Sequence, residues 1–221
     1  MSPAPIRILL VDDHAIVREG YRSLLAKHAG LEVVAEATNG DEAYARFQEC
    51  APDVVIMDLS LPGQGGLEAT ARICRRDPEA RILVFSMHQN PTFAVQATRA
   101  GAKGYVTKSS APEVLIRAIY DVHRGRAALS PDIAQALALA KLGGDDQALA
   151  QLTAREFEIL RMLVDARSTD DIAQALHISP KTVSNCHYQI KKKLGVATDI
   201  ELVRLALRMN VLDPLAISDR A

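Results

Sequence analysis

Between residues 6 and 124 the chain alternates short β-rich apolar runs with longer stretches of helical period, and this rhythm constrains the fold most. The apolar runs are Ile6 to Val11, Glu32 to Ala37, Val54 to Asp58, Ile82 to Ser86 and Lys103 to Val106. Ala-rich or amphipathic segments lie between them. Near-continuous apolar strands separated by helices mark βα units, because parallel neighbours need a crossover and are buried on both faces. The expectation is an α/β domain, a (βα)5 doubly wound parallel sheet.

The rhythm weakens after Gly125. A short amphipathic helix is expected from Pro131 to Leu142, with Gly143-Gly144-Asp145-Asp146 as a flexible break behind it. Beyond the break the period is purely helical. Thr153-Ala-Arg-Glu156 and Thr198-Asp-Ile-Glu201 have capping-box form, and Ser179-Pro180 places a cap before a proline at the first helical position. Four helices follow, over Thr153 to Asp165, Asp170 to Leu176, Pro180 to Leu194 and Asp199 to Met209. The division expected is a first domain over 1–125, a linker over 126–149 and an all-α four-helix domain over 150–221. A chain of 221 residues is long enough for two such cores.

Several functional classes are excluded early. No run of about 18 apolar residues is present and the first residues do not form a signal peptide, so a cytoplasmic protein with no membrane partner is expected. Cys50, Cys74 and Cys186 are isolated, which suggests neither a disulfide framework nor a zinc cluster. The net charge of −1 gives no global field for nucleic acid, so charge has to be read locally.

In an open parallel sheet, ligands bind beyond the carboxyl ends of the strands. The first strand ends in Asp12-Asp13, the third in Asp58, the fourth in Ser86 and the fifth is followed by Lys108. Any one of these alone reads as a turn, cap or solvated residue; together they place three carboxylates, a hydroxyl and an ammonium on one edge. Clustered carboxylates repel unless a cation neutralises them, and a hard oxygen set suits Mg²⁺. A shielded Asp58 can attack phosphorus to give an aspartyl phosphate, with Ser86 and Lys108 as donors to its oxygens. Phosphatases of the haloacid dehalogenase type share such a nucleophile but need a second aspartate two residues later, where this chain has Ser60.

Asp12-Asp13, Met57-Asp58-Leu-Ser-Leu-Pro62, Gly66-Leu67-Glu68, Ser86 and Gly101-Ala-Lys-Gly-Tyr-Val-Thr-Lys108 together resemble the flavodoxin/CheY-like receiver domain of two-component response regulators. The resemblance implies Asp58 as phosphoacceptor and Asp12, Asp13, Asp58 and the Ser60 carbonyl as Mg²⁺ ligands. It further implies Ser86 as switch hydroxyl, Lys108 as phosphoryl clamp, Tyr105 as switch aromatic, and a cognate histidine kinase as donor. Ser109 stands where many receivers have proline. His14, beside the acid pair, is expected to open the first helix and is given no site role.

From Ser179 to Leu194 the chain carries Lys181, Lys191, Lys192 and Lys193 and no acidic residue. At helical spacing Val183, Cys186, Ile190 and Leu194 share one face; Lys181, Ser184, Asn185, Tyr188 and Lys192 share the other. Cations at a helix C-terminus also complement the dipole, so the lysines alone decide nothing. However, Leu152-Thr-Ala-Arg-Glu156, Asp171-Ile-Ala-Gln-Ala-Leu176, Ile178-Ser-Pro-Lys-Thr-Val183 and Ile190-Lys-Lys-Lys-Leu-Gly-Val196 resemble the LuxR/FixJ-type, or NarL-class, helix-turn-helix domain. That resemblance implies that the helix over Pro180 to Leu194 enters the major groove of double-stranded DNA. Ser184, Asn185 and Tyr188 would face bases; Lys181, Thr182, Lys191 and Lys192 would face phosphates. The last helix, through Leu202, Leu205 and Met209, would form a homodimer contact on phosphorylation. Cys186 replaces a usual histidine, Ser184 a frequent lysine, and Asp165-Ala-Arg-Ser168 lacks the usual glycine. The function implied is a phosphorylation-controlled transcription regulator rather than a dedicated enzyme, with a protein-docking module that never touches DNA as the alternative.

Overall fold

A computed structural model describes residues 4–63, 65–143, 149–209 and 211. Strands β1 (Ile6–Val11), β2 (Leu31–Ala37), β3 (Val54–Met57), β4 (Ile82–Ser86), β5 (Gly104–Thr107) and β6 (Ala128–Leu129) form one parallel sheet in the order β2-β1-β3-β4-β5-β6. Helices α1 (Ala15–Leu25), α2 (Gly40–Cys50), α3 (Gly66–Arg76), α4 (Pro91–Arg99) and α5 (Pro112–His123) connect the strands.

Alternation along the strands feeds two cores. Ile8, Leu10, Val54, Ile56, Leu83 and Phe85 pack with Leu25 of α1 and Leu115 and Ile119 of α5. Leu9, Val11, Val55, Met57 and Ile82 pack with Ala43 of α2 and Ala69 and Ile73 of α3. Both faces are therefore covered, which is why the strands read as unbroken apolar runs. The doubly wound order makes β1 and β3 neighbours, and their carboxyl ends carry the acidic residues.

The five expected strands are present with ends shifted by one residue or so. The sixth, β6, lies in the stretch read as linker: Ala128 and Leu129 pair with Gly104 and Tyr105 and extend the sheet. Two residues are too few to show a period, so only the pairing reveals them. Helix α6 (Pro131–Gly143) follows, close to the expected Pro131 to Leu142. Of the expected Gly143-Gly144-Asp145-Asp146 break, residues 144–146 lie outside the described residues.

Helices α7 (Ala154–Val164), α8 (Thr169–Ala175), α9 (Pro180–Leu194) and α10 (Asp199–Arg208) follow among the described residues, preceded by a 3-10 turn at Leu149–Gln151. The Thr153/Glu156 and Thr198/Glu201 capping boxes form, and Ser179 caps α9 with Pro180 in its first turn. Ser168 and Asp171 make a further box at α8, an S-x-x-D signal that the sequence carries. Between α7 and α8, where glycine would be at ease, Ala166 takes φ 57°.

The core of the helical unit, including Phe157, Ile159, Leu160, Val183 and Ile190, is continuous with Phe93, Ala94 and Ala97 of α4 and with Tyr105. The two units are thus docked, with α7 against α3 and α4. Among the described residues no helix is long and apolar enough to cross a membrane.

Candidate phosphoacceptor site and nucleic-acid interface

Asp12, Asp58 and Ser86 are all buried at the carboxyl edge of the sheet. The strands end there because each next residue must turn toward a helix; the Asp12 carboxylate accepts the His14 N–H at 2.8 Å as the chain enters α1. Lys108, following β5, reaches back so that Nζ donates to Asp12 Oδ2 at 2.6 Å and to Asp58 Oδ2 at 2.9 Å. The Leu59 N–H donates to Asp58 Oδ1 at 2.7 Å. All five polar residues expected at this edge, Asp12, Asp13, Asp58, Ser86 and Lys108, come together there.

Burial pushes the Asp58 carboxyl above its ordinary range; Lys108 opposes the shift, and the like charge of Asp12 adds to it. Burial would lower the Lys108 ammonium, but Asp58 and Asp12 outweigh it and hold it above its ordinary value. A simple ion pair would move its partners in opposite directions. Here one cation serves two buried carboxylates, so the acid side remains under-neutralised.

Asp12, Asp13 and His14 bring potential ligand atoms within 4.8 Å of one another. Asp13 Oδ1 is buried without a hydrogen-bond partner among the described residues, although His14 Nδ1 stands 2.9 Å away at ion-pair distance. An orphaned carboxylate oxygen beside a crowded acid pair fits a hard cation. His14 itself stands at the N-cap of α1 without a side-chain capping bond, and its ring is largely exposed.

Ser86 Oγ accepts the His88 N–H at 3.3 Å, and the Tyr105 hydroxyl donates to the His88 carbonyl at 2.8 Å. Tyr105 is therefore turned into the core. Ser60 Oγ lies 3.2 Å from His88 Nε2. Ser109 Oγ donates to Thr107 Oγ1 at 3.2 Å and accepts from Gln89 Nε2 at 3.1 Å.

On α9, Val183, Ile190 and Leu194 are buried and Cys186 packs partly buried against the same core. Burial raises the Cys186 thiol, which suits a packed rather than a reactive sulfur. Lys181, Thr182, Ser184, Asn185, Tyr188 and Lys192 are exposed, so the polar face is open to solvent. His177, at φ 52°, makes the tight turn from α8 to the Ser179 cap. Lys191 pairs with Asp199 at 2.9 Å and Lys193 with Glu156 at 2.6 Å. On α10, Leu202 is buried in the helical unit's own core, whereas Leu205 and Met209 are half-buried.

The docked contact brings in residues that carried no motif. Arg161 Nη1 lies 2.9 Å from His88 Nε2, Phe93 meets Phe157 edge-on at 5.2 Å, and Asn90 Nδ2 donates to the Met209 carbonyl at 3.0 Å. Glu158 is buried over the start of α3, where Oε1 accepts the Glu68 N–H at 3.4 Å. A side chain at Gly65 would begin 2.1 Å from that oxygen, so the Glu158 carboxylate would have to shift to admit one.

Residues 8–120 match the response regulator receiver domain, and residues 150–206 match the bacterial regulatory proteins of the luxR family. Response regulator UvrY of Escherichia coli strain K12 is 36% identical over 217 residues, covering 97% of this chain and 100% of that protein. Response regulator GacA of Pseudomonas aeruginosa is 38% identical over 210 residues, covering 94% and 98% respectively. Among solved structures, RcsB of Salmonella enterica serovar Typhimurium, bound to promoter rprA with a BeF3⁻ phosphomimetic, is 28% identical with TM-score 0.69. The match covers 91% of this chain and 98% of that one. A LuxR-family two-component regulator from Aurantimonas is 55% identical over 63% of this chain and 99% of its own, with TM-score 0.62.

Proposed function

Because the chain belongs to the two-component response regulators with a LuxR-type DNA-binding domain, we propose that Asp58 is its phosphoacceptor and that the aspartyl phosphate controls dimerisation and DNA binding. The observation that carries this reading is Lys108 spanning Asp12 and Asp58 beside Asp13 at the carboxyl edge of the sheet.

The donor is the phosphohistidine of a cognate histidine kinase. An Asp58 carboxylate oxygen attacks phosphorus; the O–P bond forms, the P–N bond breaks with its electron pair going to nitrogen, and the imidazole leaves neutral with the proton its other ring nitrogen already carries. Asp12, Asp13, Asp58 and the Ser60 carbonyl would hold Mg²⁺, which would supply charge neutralisation for the incoming group. Lys108 turns from the carboxylates to a phosphoryl oxygen, and the Ser86 hydroxyl donates to another. Tyr105, already in the core, follows Ser86 through their shared contact with His88.

The docked state leaves the reading face of α9 exposed, but Asn90 holds the end of α10 through Met209. Phosphorylation therefore acts by releasing α7 and α10 from the receiver, freeing Leu205 and Met209 for a second copy. We place the regulator in the cytoplasm, with domain limits at 1–125 and 150–221 and between them a linker whose first part, β6, is added to the receiver sheet. The structure of RcsB bound to promoter rprA in the presence of a phosphomimetic supports the DNA-binding half of this reading.

The test is intact-mass analysis after incubation with Mg²⁺ and a small-molecule phosphodonor. Wild type gains one phosphoryl group and Asp58→Asn gains none; equal labelling of both would assign the acceptor elsewhere.

A further inference from the structure

His88 lies two residues beyond Ser86, between β4 and α4, and is the meeting point of the switch and the output domain. Its N–H donates to Ser86 Oγ at 3.3 Å and its carbonyl accepts the Tyr105 hydroxyl at 2.8 Å. Its ring stacks on Phe93 with centroids 4.1 Å apart, and Phe93 in turn meets Phe157 of α7. Nε2 lies 3.2 Å from Ser60 Oγ and 2.9 Å from Arg161 Nη1 of α7. An arginine nitrogen has only hydrogens to offer, so Nε2 presents its lone pair and the ring is neutral. Burial, with Arg161 and Lys108 nearby, lowers this imidazole to about 4, in agreement with that tautomer.

We propose that Arg161 and His88 are a positioning pair: Arg161, acting through the His88 imidazole, holds Ser60 and Ser86 in their docked arrangement and slows phosphoryl acceptance at Asp58. This rests on the reading of Asp58 as the acceptor. Neither residue hydrogen-bonds to Asp58. For Ser86 to reach a phosphoryl oxygen, its Oγ must move away from the His88 N–H. Displacing residue 88 strains its contacts with Tyr105 and Arg161 together, because all run through one residue. The link is reciprocal: if phosphorylation weakens docking, docking weakens phosphorylation by the same factor at equilibrium.

The test follows the rate of phosphorylation of the full chain by a small-molecule phosphodonor with Mg²⁺, together with DNA affinity before the donor is added. Arg161→Ala, a half-buried position in the output domain, speeds phosphorylation by about tenfold, the factor carried by one charge-assisted hydrogen bond. Unphosphorylated affinity for DNA rises with it. Arg161→Lys, which keeps a cationic donor, falls between Arg161→Ala and wild type. The double variant His88→Ala/Arg161→Ala is no faster than His88→Ala, because the pair acts as one unit. A general loss of docking would also quicken phosphorylation, but it would leave the His88 and Arg161 substitutions additive. If wild type is phosphorylated and Arg161→Ala matches its rate, or if the two substitutions act additively, the pair is not the coupling element. If wild type takes no phosphoryl group, the reading of Asp58 falls together with the pair.

Discussion

Lys108 Nζ stands 2.6 Å from Asp12 and 2.9 Å from Asp58, so a single ammonium bridges two buried carboxylates. One positive charge faces two negative ones there, so one carboxylate charge has no cation of its own. Losing the bridge strands both carboxylates, and breaking a buried pair costs about 3–5 kcal/mol. Lys108→Met is therefore expected to lower the unfolding free energy by up to about that amount in chelator, with Mg²⁺ restoring part of it. Thermal melts with chelator and with Mg²⁺ check this; curves indifferent to Mg²⁺ in both proteins would remove the cation from the site.

Glu158 gives docking a pH dependence. Burial pushes its carboxyl up to about 7 against the opposing Arg155, Glu68 N–H and Arg161, with the Glu68 carboxylate adding to the rise. Once the domains part, the carboxyl returns to the ordinary range, so the docked state binds the extra proton. The stabilisation is fully present below the ordinary carboxylate range and is lost as pH rises through about 7. Between pH 6 and 8 the docking constant should fall by about tenfold, as read by small-angle scattering or interdomain fluorescence transfer. Glu158→Gln should flatten this dependence; an unchanged profile would give the titration to another group.

On α9, Lys192 is exposed while Lys191 and Lys193 are tied to Asp199 and Glu156. Lys192→Ala should weaken DNA binding on all sequences alike and reduce the salt slope by about one. Asn185→Ala should instead cost roughly 1–3 kcal/mol against the preferred site only. Anisotropy titrations over a salt series and against scrambled sites separate the two, and swapped behaviour would reassign both side chains.

Ala166 carries φ 57° in the connection between α7 and α8. An L-residue there pays about 1–2 kcal/mol that glycine does not, so Ala166→Gly should raise stability by about 1 kcal/mol after its larger unfolded-state entropy. Urea melts would show it; a loss of stability would mean that the Ala166 methyl packs better than its backbone is strained.

Much of this was legible in the sequence where chemistry sits at the end of a local pattern. Asp12, Asp13, Asp58, Ser86 and Lys108 could be found because each closes or follows an apolar strand, and Thr153, Ser179 and Thr198 because caps are local. Two-residue β6 was hidden, since its only signature is pairing with β5. His88, Glu158 and Arg161 were hidden for a different reason. Each looks like an ordinary polar residue in its own segment, and its role exists only once α7 is laid against α3 and α4. Leu202 shows the converse: helical spacing groups it with Leu205 and Met209, but burial separates it from them.

The central claim is that chemistry at Asp58 controls the four-helix domain. The most direct measurement is the affinity of the full chain for promoter DNA, with and without a BeF3⁻ phosphomimetic and Mg²⁺, in wild type and Asp58→Asn. Wild type is expected to dimerise and to bind at least tenfold more tightly with the phosphomimetic, while Asp58→Asn does not respond. Equal affinities for wild type in the two conditions, or a full response from Asp58→Asn, would contradict it.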